Sequence, residues 1–221
     1  MTEDLVFTDP YCNHERNSLS VAQLPELREL WLNEALQAEV AHLKADYLTK
    51  PQVLLHGDLH CGNLLISHEE YKVIGAEFGC YGPIAFDTGT FIASLILNLV
   101  TQNPAKNASV RPYLSHQIDL FWREFSTVFS TLMQKETKDQ SFQNSLYQRR
   151  FLQQLWRDTL GYAGCELIRR TVGWAPAEEL QKLTDASFKL QVQRQLLELG
   201  QDLIMQRQQM TPEQLLEKLA Q

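Results

Sequence analysis

The sequence predicts an α+β chain that is mostly helical, with a small β-hairpin carrying a polar loop. Three observations predict it. From Phe86 onward apolar residues recur at three- and four-residue spacing almost to the end, the pattern of helices with one buried face. Between residues 53 and 74 lie three short runs rich in Val, Leu, Ile and Tyr, bounded by turn-forming residues and too short for helices. No repeat or low-complexity linker divides the 221 residues, a length sufficient for one sizeable core.

The elements follow in order. Residues 1–20 are turn-rich, with Asp9-Pro10 and Asn13. Leu24-Pro25-Glu26-Leu27 opens helical periodicity that runs, with one break, through Tyr47. Strands are expected at 53–56, 64–67 and 71–74, the last two joined by His68-Glu69-Glu70, the length of a hairpin loop. Phe86-Asp87 opens the next helix, and Asp87 reads as a structural N-cap that ties down the preceding loop at least as readily as a catalytic group. Its apolar run, 91–100, is about half of what a bilayer span needs and predicts a buried core helix. Further helices are expected, with breaks near Asn103-Pro104, Lys138-Asp139, 173–176 and Gly200. Phe121, Trp122, Phe125 and Phe129 form a stripe that predicts core packing. Trp156 and Trp174 are also expected in the core, with Trp174 alternatively placed to wall a ligand pocket. Thr211-Pro212-Glu213-Gln214 combines a capping Thr, a Pro at the first helical position and a Gln at the third, a strong helix start.

Charge and cysteines narrow the function. Twenty Lys and Arg against 27 Asp and Glu give a net charge of −7, spread along the chain, so neither a nucleic-acid nor a membrane partner is expected. A homodimer is left open. Cys12, Cys61, Cys80 and Cys165 show no C-x-x-C pairing, and no apolar signal segment opens the chain, which fits a reducing, cytoplasmic setting.

The chemistry concentrates in His56-Gly57-Asp58-Leu59-His60-Cys61-Gly62-Asn63, where an Asp and an Asn stand five positions apart after the apolar run Val53-Leu54-Leu55. Kinase-like phosphotransferases use this spacing in their catalytic loop, the Asp accepting the proton of a substrate hydroxyl and the Asn holding a magnesium ion. Two plainer readings compete: a polar turn between strands, or a zinc site made by His56, Asp58 and His60. The flanking Leu and Val argue for a strand and turn rather than the helix on which two His four apart share a face. His56 and His60 are expected to brace the loop by hydrogen bonds to backbone.

With residues 71–89 downstream, this octet resembles the methylthioribose kinase family, which belongs with the aminoglycoside and choline kinases. The resemblance covers almost the whole chain, including Thr2-Glu3-Asp4-Leu5-Val6-Phe7-Thr8-Asp9-Pro10-Tyr11 near the start and Glu166-Leu167-Ile168-Arg169-Arg170-Thr171-Val172-Gly173 later on. It implies the C-terminal, substrate-binding lobe of a protein-kinase-like fold, a single domain over residues 1–221. It also implies ATP and Mg2+ as cofactors and 5-methylthioribose as the sugar substrate, phosphorylated on its 1-hydroxyl. Asp58 matches the catalytic base that contacts this hydroxyl, and Glu77 the Glu of an Asp-Pro-Glu metal motif, with Asn63 as the other metal residue. Arg169 and Arg170 match the arginines near the sugar and the transferring phosphate, where planar donor forks suit anionic oxygens. Taken alone, the pair also reads as a solvated helix face.

Two departures qualify the resemblance. Gly75-Ala76 stands where the family has Asp-Pro, so the carboxylate that bridges magnesium to the phosphates is missing. The chain's ten glycines also form no phosphate-covering G-x-G-x-x-G, and the N-terminal nucleotide lobe is expected to be absent. Cofactors would then bind weakly or not at all, and the chain alone would be inactive. The competing expectations are a non-catalytic pseudokinase remnant and a related kinase acting on an aminoglycoside, choline or homoserine.

Overall fold

Helix begins sooner than the turn-rich opening suggests. In the computed structural model, which describes residues 2–18, 24–103 and 106–220, α1 (Thr2–Phe7) is a six-residue helix with Val6 and Phe7 buried. A helix this short is unstable alone. Tertiary packing holds it, since the Phe7 ring lies 5.6, 6.4 and 5.9 Å from those of Tyr47, Phe86 and Tyr162. A 3-10 turn at Asp9–Tyr11 follows. The next helical stretch splits into α2 (Leu24–Leu32) and α3 (Glu34–Thr49) at Asn33, whose side chain accepts from the Leu36 N–H at 3.0 Å.

Four short strands follow: β1 (Val53–Leu54), β2 (Leu64–Ile66), β3 (Tyr71–Val73) and β4 (Tyr81–Gly82). β2 and β3 form the expected hairpin, with Leu64 opposite Val73 and Ile66 opposite Tyr71. β4 was not expected, because two residues ahead of Pro83 carry no alternation. It pairs antiparallel with β1, Val53 opposite Gly82 and Leu54 opposite Tyr81. This second pair closes the base of the whole 55–80 excursion, so the polar loop and the hairpin leave and re-enter the helical body at one point.

The remainder is helical: α4 (Ile84–Val100), α5 (Val110–Glu136), α6 (Ser145–Val172), α7 (Glu178–Gln181), α8 (Ala186–Gln206) and α9 (Pro212–Leu219). α4 starts at Ile84, two residues before Phe86, with Pro83 as its N-cap, so Asp87 lies in its first turn and is not the N-cap. α9 opens with the predicted capping box, Thr211 accepting from Gln214 N and Gln214 accepting in return from Thr211 N at 2.9 Å. The break expected at Asn103-Pro104 falls partly on 104–105, outside the described residues, whereas those at 138–139 and 173–176 are present. Gly200 does not break its helix. It lies inside α8 where α8 crosses α6, and a Cβ on Gly164 would sit 2.5 Å from the Gly200 carbonyl oxygen. Close backbone approach, not a turn, is what requires glycine there.

α6 is the axis of the body, packed against α4 on one side and α8 on the other. α4 is buried around most of its surface, as its apolar run predicts, with Ile92, Ile96 and Leu99 sealed inside. None of the described helices is long and apolar enough to cross a membrane. The aromatic stripe packs on the core as expected through Phe121, Trp122 and Phe125, but it is only half-buried, and Phe121, Phe125 and Phe129 also line an open apolar groove of about 740 Å³ beside the hairpin. Trp156 is buried, its indole N–H donating to the Met210 carbonyl at 2.9 Å. Trp174 is 51% exposed on the turn after α6, too open to be core.

Candidate active site

The polar loop is held from both ends. Asp87 reaches back from the first turn of α4, its Oδ2 accepting the His56 N–H at 2.6 Å and its Oδ1 the Gly57 N–H at 3.0 Å. The expected tie is therefore present, made from inside the helix. Burial raises the Asp87 pKa above its ordinary value, against the two backbone donors that favour the charged form. The histidines brace the loop as expected. His56 accepts the Asp58 N–H on Nδ1 at 3.2 Å, which leaves Nε2 to donate to the Ile74 carbonyl at 2.8 Å. His60 accepts the Gly62 N–H on Nδ1 at 3.0 Å, so its Nε2–H faces Asp58 Oδ2, 3.4 Å away. The Cys61 N–H donates to Ser94 Oγ at 3.1 Å, pinning the far side of the loop to α4.

Asp58 is the half-buried carboxyl at the centre. Burial alone would raise its pKa, but His60 and the charges of Arg169 and Arg170 outweigh it and hold the carboxyl below the ordinary range. The two arginines, more than a hundred residues away in sequence, thus come to the same site from the end of α6. Glu166, one turn earlier, escaped the sequence reading. Its buried carboxylate accepts Arg169 Nε at 2.7 Å and the Arg169 terminal nitrogen Nη2 at 2.5 Å. The signal for it was legible, an acid three and four positions before two bases on a helix. Burial pulls the Arg169 pKa down, but Glu166 and Asp58 together lift it above its ordinary value, so it stays charged. The plain alternative of a solvated arginine face does not hold, since the Arg169 and Arg170 side chains are only 11% and 17% exposed.

The residues named for a metal, Asn63 and Glu77, stand beside a position 75 that has no side-chain ligand. Gly75 has the left-handed backbone conformation, φ 80° and ψ 31°, and a Cβ there would meet the Asn63 side-chain amide at 2.9–3.0 Å. Position 75 therefore faces Asn63, but offers no side-chain oxygen to a cation. Asn63 turns its amide nitrogen onto the Asp58 carbonyl at 2.9 Å. Glu77 is exposed on the 3-10 turn Ala76–Phe78. One neutral amide oxygen and one exposed carboxylate are a sparse set, and a magnesium ion held there would have to draw its remaining oxygens from water and substrate phosphates. Nor do His56, Asp58 and His60 hold zinc: among the described residues no three His, Cys, Asp or Glu side chains are grouped for a metal ion.

A helical body that presents a braced Asp, on the loop between β1 and β2, to paired arginines has the build of a kinase-like phosphotransferase lobe. Residues 4–107 match the phosphotransferase enzyme family. The chain is similar to the methylthioribose kinase of Yersinia enterocolitica, 43% identical over 209 residues, 93% of this chain and 52% of that protein. The methylthioribose kinase of Pectobacterium carotovorum is 42% identical over the same share of both. The resemblance read from the sequence stands: the chain is similar to methylthioribose kinases along nearly all of its length. It spans about half the length of the curated relatives it matches. Kinases of this kind generally use ATP and a divalent metal.

Proposed function

We propose that the chain is the substrate-binding lobe of a methylthioribose kinase-like phosphotransferase and transfers no phosphate by itself. The observation that carries this is Asp58, a carboxylate kept ionised on a braced loop opposite Arg169 and Arg170. In this reading Asp58 accepts the proton of the sugar 1-hydroxyl, and His60 Nε2–H orients the carboxylate so that its free oxygen faces that hydroxyl. The guanidinium groups donate to ligand oxygens. ATP is the phosphoryl donor such kinases use, and no step of metal binding is assigned to Asn63 or Glu77. Four free cysteines, with burial pushing the Cys165 thiol up to about 12, support a reducing, cytoplasmic setting.

Gly75 favours a second reading, a non-catalytic remnant that keeps the sugar pocket. Both readings predict binding of 5-methylthioribose with a dissociation constant around millimolar, about −4 kcal/mol, because a pocket in one lobe stays half open. Ligand-observed NMR on the wild type and Asp58→Asn tests this, with weaker binding expected in the variant. Equal signals from kanamycin, choline or homoserine would move the assignment to another kinase of the superfamily. A coupled assay with ATP, magnesium and methylthioribose separates the two readings in any protein that also supplies a nucleotide lobe. Turnover near one per second by this chain alone, in the usual kinase range, would overturn the proposal.

A further inference from the structure

The paired arginines are not equivalent. Glu166 holds Arg169 through two parallel N–H···O bonds, the fork geometry that fixes a guanidinium most firmly. Arg170 Nε lies 3.9 Å from the same carboxylate, beyond hydrogen-bond reach. Among the described residues the Arg170 guanidinium makes no hydrogen bond, although its side chain is only 17% exposed. Among the described residues no Arg170 nitrogen is a fully buried atom without a partner, so without ligand its donors are left to water. Arg169 therefore has most of its charge answered within the protein, whereas Arg170 makes only a longer ion pair with the same carboxylate and keeps its five N–H donors for a ligand near Asp58.

We propose that Glu166 is a positioning residue that locks Arg169 in place, and that Arg170 is the guanidinium that grips the ligand. The division of labour rests on the reading of Asp58 and the arginines as a ligand site, but the lock itself can be measured without ligand. In side-chain nitrogen NMR of the full chain, the Arg169 Nε–H is expected to exchange with water about tenfold more slowly than that of Arg170. Glu166→Gln, which keeps the volume and one acceptor oxygen, should remove most of this difference. Equal exchange of the two arginines in the wild type, or undiminished protection in Glu166→Gln, would overturn the proposal. If Glu166→Gln does not fold, the wild-type comparison decides.

With 5-methylthioribose as the probe, Arg170→Ala is expected to raise the dissociation constant about tenfold, the loss of one charged hydrogen bond. Arg169→Ala should raise it less. Glu166→Gln should weaken binding about threefold in the wild type and not at all once Arg169 is alanine, because its effect runs through Arg169. A merely structural glutamate would give equal losses in both backgrounds, and that result refutes the positioning role. A wild-type chain that does not bind methylthioribose defeats the ligand-site reading, while the exchange rates still decide the role of Glu166.

Discussion

Removing the Asp87 carboxylate should loosen the polar loop and cost the chain a measurable part of its stability. Two backbone N–H groups, of His56 and Gly57, end on its two oxygens at 2.6 and 3.0 Å. Bonds to a charged acceptor are among the stronger ones, and a buried N–H left without a partner costs about 1–3 kcal/mol. Asp87 is half-buried, so water can recover part of the loss. The expected cost of Asp87→Ala is about 3 kcal/mol in all, and for a chain of this length each kcal/mol moves the melting temperature by roughly 2–4 °C. Thermal unfolding followed by circular dichroism should therefore show a fall of roughly 6–12 °C. Asp87→Asn keeps one acceptor but turns an amide N–H2 toward a backbone N–H, so a cost of about 2 kcal/mol is expected. Hydrogen exchange localises the effect, since the His56 and Gly57 amides should lose protection more than those of α6. A melting temperature within about 2 °C of the wild type, or unchanged exchange at these two amides, would refute the reasoning.

Three further outcomes are expected. Gly75→Asp forces a side chain into a left-handed backbone position and against the Asn63 amide, so it should cost about 1–2 kcal/mol, and millimolar magnesium should not restore the melting temperature; full recovery on adding magnesium would show that a metal site does assemble. The Asp58 carboxyl, held below the ordinary range, stabilises the fold fully above its unfolded pKa of about 4 and loses that contribution as pH falls through its lower folded value. The stability gap between wild type and Asp58→Asn should then be flat from about pH 7 to 5 and shrink below about 4, and urea titrations that find it widening in acid contradict the assignment. Gly164→Ala should lower unfolding stability by about 2 kcal/mol in urea melts despite a better helix propensity, because its Cβ meets the Gly200 carbonyl at 2.5 Å; a stabilised variant would show that α6 and α8 can separate freely.

The helices with strong periodicity, the β2–β3 hairpin, the α9 capping box and the loop centred on Asp58 were all determined by the sequence. Each depends on residues close together in the chain, whose spacing alone decides which face is apolar and which N–H is capped. The spacing of Asp58 and Asn63 also placed the polar loop, because its hydrogen bonds run between near neighbours in the chain, such as Asn63 to the Asp58 carbonyl. Where contacts are long-range, only the tertiary structure decided. α1 exists because Phe7 finds Tyr47, Phe86 and Tyr162, β4 because β1 lies opposite, and Gly200 continues its helix because α6 crosses there. Position 75 was legible as a missing carboxylate, but not as a left-handed residue packed against Asn63. Trp174, expected in the core, is half exposed on the turn after α6, which its neighbours in the chain do not reveal. The sequence also named Arg169 and Arg170 without distinguishing them. Burial and a carboxylate within reach of only one of the two make them different, and neither property is local to the chain.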